Sequence, residues 1–131
     1  RYLPEAFAEA VRAGRYDGSK IYLNHEDHSD RGRGHRNVQL WAGTIRPGSV
    51  RFDPATGRVI GVAALHHPAA LAIMASPTAR ASVGLSQDVT VSTRKGPDGR
   101  QEVHAIRQVH SVDLVPEGNA AHGRQVIGPA A

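Results

Sequence analysis

Two long runs near the end of the chain, Ala81 to Thr93 and Glu102 to Val115, joined by Lys95-Gly96-Pro97-Asp98-Gly99, constrain the fold more than any other feature. Their valine-rich alternation predicts two strands, and the Gly/Pro/Asp cluster marks the turn between them. Shorter strands are predicted at Lys20 to Asn24 and at Val38 to Ile45, the second closed by Pro47-Gly48. Ser49 to Leu65 reads as a hairpin turning at Asp53-Pro54-Ala55-Thr56-Gly57. Its second arm, Val59 to Leu65, is apolar on both faces and is expected to be central. Pro4 to Gly14 predicts a helix packed on an end or face of the sheet, with Pro near the first turn, Glu5 early, Phe7 and Val11 four apart, and Gly14 at the stop. A second helix is predicted from Pro68 to about Ala75, led in by His66-His67 and ended or kinked by Pro77. Glu26 to Arg36 is polar and Gly-rich, hence a loop, and the Gly/Ala/Pro-rich tail from Pro116 is expected to fray.

These elements fit one domain over residues 1–131, with an N-terminal helix in 1–17, a core from about 18 to 120 and a tail from 116. Apolar residues make up 40% and aromatics 5%, so the core must be built from Val, Ile, Leu and Ala. The expected class is β-rich α+β, a barrel or sandwich with short helices. The absence of Cys excludes disulfides, thiolate zinc sites and a cysteine nucleophile, which favours a hydroxyl nucleophile by elimination. No apolar run approaches the ~20 residues that span a bilayer, and the chain opens at Arg1-Tyr2, so a soluble excised domain is expected. The net charge of +4 is carried by Arg, with Lys only at Lys20 and Lys95. Arg31, Arg33 and Arg36 form the one tight group and have no interleaved aromatics, so a solvated surface is expected rather than nucleic-acid binding.

An ordered set of residues carries the chemistry. In the run from Val83 to Ser92, strict alternation places Ser86 on the polar face with Gly84, Asp88, Thr90 and Ser92. A nucleophile must meet its substrate there, and Gly84 clears space two residues away. His25 stands where a strand passes into a loop and can take the serine proton and return it to a leaving amine. His25, His28 and His35 lack the i, i+4 pair of a helical zinc motif, so no metal is expected. His110 and Asp113 lie on opposite faces of the last strand unless a bulge intervenes, so one of them orients His25. His110 is expected to be half-buried beside Val112 and Leu114, where a neutral imidazole costs less than the Asp113 carboxylate. The plainer reading of Asp113 is a strand-end carboxylate paired with an arginine.

Asn24-His25-Glu26, Gly43, Gly84-Leu85-Ser86 and Ser111-Val112-Asp113-Leu114-Val115, in this order, resemble the prohead (capsid maturation) proteases of tailed bacteriophages, which are similar in fold to the herpesvirus assembly proteases. The resemblance covers roughly Lys20 to Ala120. It implies a partly closed β-barrel of about six strands with two or more short flanking helices. It also implies a serine endopeptidase that cuts scaffold and capsid precursors inside the prohead without a cofactor, and it allows a homo-oligomer. His25 matches the family's histidine and Ser86 its nucleophile. The third member departs: the phage-type Glu falls on Ser111, while His110 echoes the second His of the herpesvirus enzymes and Asp113 shares the face of Ser111, so both stay candidates, with His110 preferred. Pro116-Glu117-Gly118-Asn119-Ala120 also replaces the family's Pro-Ala ending. The alternative function is an inert, protease-like scaffolding module that binds capsid protein.

Overall fold

The computed structural model describes residues 1–24 and 36–116. These form an α+β fold in the order α1 (Pro4–Arg12), β1 (Lys20–Leu23), a 3-10 turn (Val38–Leu40), β2 (Trp41–Ile45), β3 (Arg51–Asp53), β4 (Arg58–Ile60), β5 (Ala63–Leu65), α2 (Pro68–Ala75), α3 (Pro77–Arg80), β6 (Val83–Lys95) and β7 (Gln101–Pro116). The main sheet runs β5-β2-β1-β7-β6, and β3-β4 make a separate two-stranded sheet. The expected barrel is matched only in its strand-rich character: in the described sheet β5 and β6 stand as edges.

Helix α1 has Pro4 at its start, Glu5 in the first turn and Arg12 in the last, charges that complement the helix dipole. Ala6 and Ala10 are its deepest residues, while Phe7 and Val11 are only partly buried. The small pair lets the helix lie close on β7. Phe7 instead spreads sideways, its ring 5.2 Å from that of Tyr2 and 6.4 Å from that of Phe52.

Two expectations about the strands need correction. The predicted strand from Val38 begins as a 3-10 turn, because the Asn37 side chain accepts the Gln39 N–H at 3.0 Å and holds the chain out of the ladder until Trp41. The supposedly central arm Val59 to Leu65 breaks at Gly61-Val62: β4 pairs with β3, and β5 forms an edge of the main sheet. Val62 is held there through its main chain, its N–H donating to Ser49 Oγ and its carbonyl accepting from the Arg46 N–H, and it is 46% exposed. Pro77 ends α2 and also opens α3.

The long β6-β7 hairpin contains three register shifts. Asp88 pairs with Ser111 but Val89 with Val109, and similar steps leave one unmatched residue in β7 each time: His110, Arg107 and His104. Each is a bulge that bends the strand and interrupts alternation. Beyond the first bulge, from Ser111 to Val115, alternation is regular. Ile21, Val112 and Leu114 face the main core with Leu23 and Leu85 packed against them, while Tyr22, Ser86, Ser111, Asp113 and Val115 occupy the reverse face.

Candidate active site

That reverse face is unusually polar for a buried one. Strand β1 runs parallel to β7 with Tyr22 beside Asp113, and β6 runs antiparallel on the other flank with Ser86 beside Asp113. One row therefore crosses three strands: Tyr22, Asp113, Ser86. Residues directly opposite in an antiparallel pair have Cβ atoms about 5 Å apart. Asp113 is 0% exposed, Ser111 1% and Ser86 7%.

A buried carboxylate requires partners. Ser111 Oγ donates to Asp113 Oδ1 at 2.8 Å and accepts from Arg36 Nη1 at 3.2 Å. Arg36 Nη1 also lies 3.4 and 3.5 Å from the two carboxylate oxygens, a looser approach than the roughly 2.8 Å of a strong charge-assisted bond. Its Nη2 donates to the Asn24 carbonyl at 2.7 Å, and the guanidinium sits 4.4 Å from the Tyr22 ring centroid. Asn24 adopts φ 64°, which asparagine tolerates, and its N–H donates to the Leu114 carbonyl at 2.8 Å. Asn24 and Arg36 thus meet at Asp113 although twelve positions separate them.

The structure brings Ser86 and Asp113 together and leaves His110 apart. Ser86 lies on the polar face that alternation assigned to it, but this face is buried and not open to solvent. Both faces of this part of the sheet are covered, and no described residue hydrogen-bonds its hydroxyl. His110 is exposed, not half-buried, because the bulge takes it out of alternation with Val112 and Leu114. Its Nε2 lies 2.6 Å from Thr90 Oγ1. At about 3.3 Å per residue it stands roughly 10 Å along β7 from Asp113. The cost ordering is also reversed: Asp113 is the buried member, with Ser111 and Arg36 offsetting its desolvation.

His25 lies outside the described residues, as do His28, Arg31, Arg33, His35 and the loop and tail expected around them. Arg36, grouped in the sequence with Arg31 and Arg33, instead supplies the arginine that the plainer reading of Asp113 required. Sequence reasoning missed the part of Tyr22, although its two-residue spacing from Asn24 within a predicted strand was the available signal. His67, read as a lead-in to α2, caps it by accepting the Ala69 N–H at Nδ1. Among the described residues no helix is long and apolar enough to cross a membrane. No family model, curated sequence or solved structure matches this chain.

Proposed function

We propose that the chain is a serine endopeptidase of the capsid-maturation type, with Ser86 as nucleophile, His25 as general base and then acid, and Asp113 rather than His110 as the residue that orients His25. The observation that carries this reading is the row itself: a buried serine without a hydrogen-bonding partner among the described residues, directly opposite a fully buried carboxylate. His25 is covalently joined to Asn24, whose own carbonyl and N–H are tied to Arg36 and Leu114 beside that carboxylate. In the proposed reaction Ser86 Oγ attacks the scissile carbonyl carbon while its proton passes to His25. Collapse of the tetrahedral intermediate expels the amine, which takes that proton, and water then releases the acyl group by the same steps in reverse. A carboxylate offers about four lone-pair directions, so an Asp113 held by Arg36 and Ser111 can still receive an imidazole N–H. The bulges that bend β7 fit the partly closed barrel of that group, and the substrates would be scaffold and capsid precursors within the prohead.

A second reading has its own support. The Arg36–Asp113–Ser111 network would equally serve to hold a sheet face together in an inert scaffolding module that binds capsid protein. A fluorophosphonate probe separates the two. The peptidase reading expects covalent labelling at Ser86, located by peptide mass spectrometry and lost in Ser86→Ala. An unlabelled, folded wild-type chain supports the inert module.

A further inference from the structure

Strand β6 has 13 residues, far more than the roughly five or six of an average strand, and as the last strand of the main sheet it pairs on one side only. The unmatched residues of the three bulges all belong to β7, so β6 itself runs unbroken. Among the described residues no hydrogen bond reaches its outer edge. Such an edge is a template for a further strand unless charges blunt it. The charges of β6 stand in a self-complementary order: Asp88 and Arg94 are equally far on either side of Val91, within the β-branched run Val89-Thr90-Val91-Ser92-Thr93. Both occupy the face of Ser86, because Val83, Leu85, Val89 and Val91 take the core face. Asp88 has no ion pair among the described residues. Arg94 makes only a 3.9 Å approach to Glu102, with its side chain 61% exposed, and is therefore able to turn toward the edge.

We propose that β6 pairs antiparallel with β6 of a second copy of this chain, about a twofold axis through Val91. Residues directly opposite in an antiparallel pair share a face, so odd positions must meet odd and even must meet even, and the axis has to pass through a residue. Centred on Val91, the register sets Asp88 of each copy against the partner's Arg94, Thr90 against the partner's Ser92 and Val89 against the partner's Thr93. Moving the axis to Thr90 or to Ser92 loses both ionic pairs, since Asp88 then meets Ser92 or Gly96. The interface is isologous, so each favourable pair is made twice. It covers a long edge that would otherwise recruit strands without selection, and it makes no use of the peptidase reading.

Sedimentation velocity of the intact chain should show a reversible monomer–dimer equilibrium. Asp88→Arg and Arg94→Asp each set like charges opposite one another twice per dimer, and each should weaken association about tenfold. The double variant Asp88→Arg/Arg94→Asp restores opposite charges and should bring association back close to that of wild type. Val91→Cys adds a single thiol to a chain without cysteine. Its Cα should lie about 5 Å from its symmetry mate, within disulfide reach, so mild oxidation should link the dimer covalently. This variant maintains the test if a charge reversal fails to fold by circular dichroism. A wild-type chain that stays monomeric overturns the proposal and leaves the edge to a different partner. So does a dimer that neither weakens with the charge reversals nor links through Val91, because it uses another surface.

Discussion

Arg36→Met removes the cation from a fully buried carboxylate, and the expected loss is about 3 kcal/mol, the lower end for breaking a buried pair because the 3.4 Å approach is long. Denaturant unfolding of the variant measures it. The double variant Arg36→Met/Asp113→Asn should lose less than the sum of the single losses, since the two side chains share one network. Ser86→Ala differs in kind: its hydroxyl has no partner among the described residues, so stability should change by under about 1 kcal/mol, and on the peptidase reading probe labelling and cleavage should vanish. If Asp113 orients His25, Asp113→Asn in a chain still folded by circular dichroism should lower kcat by ~10⁴. His110→Ala should leave kcat nearly unchanged, and a large fall there would return the third place to His110. Period-two spacing placed Ser111 and Asp113 on one face of the last strand, while the neighbouring place of Ser86 comes from the β6-β7 register, which periodicity does not give. His110 was misread because a bulge in β7 breaks that period, and no Gly marks the position in the sequence.

Among the elements, β2 and β5 meet at an unusually close approach. A Cβ on Gly43 would fall 2.2 Å from the Ala64 carbonyl oxygen and 2.9 Å from Leu65 Cα, both main-chain atoms that cannot swing aside. Gly43→Ala should therefore loosen β5 and cost about 2 kcal/mol or more, seen as a lower Tm together with faster amide exchange at Leu65. A Tm equal to that of wild type would show that the two strands can separate slightly without loss. The elements whose ends carry punctuation were legible: Pro4 starts α1, Gly57 at φ 72° closes the β3-β4 turn, and Pro77 bounds α2. The break at Gly61-Val62 was not, because Val59 to Leu65 is uniformly apolar. What divides it is distant: the Arg46 N–H and the Ser49 hydroxyl bond the main chain of Val62 and hold it outside both sheets.

For the whole molecule, the strand-rich class followed from composition and from the two long valine-rich runs, whereas the order of strands did not. Hydrophobic periodicity says which face of β1 is apolar but not which strand lies beside it. Parallel pairing of β1 with β7 joins Ile21 to Val112 across most of the described chain. Contacts so distant in sequence impose a large loop-closure cost before they reward it, which slows folding into the millisecond-to-second range. Synthesis on the ribosome adds an order to this. Strand β1 leaves the exit tunnel well before both its β7 neighbour and the carboxylate that completes the Tyr22-Asp113-Ser86 row are made. On the peptidase reading, stalled nascent chains ending before Ser111 should not label with a serine-directed probe, and chains released beyond Pro116 should. A protein assembled this way is born without its buried three-strand row and acquires it only once translation of β7 is finished.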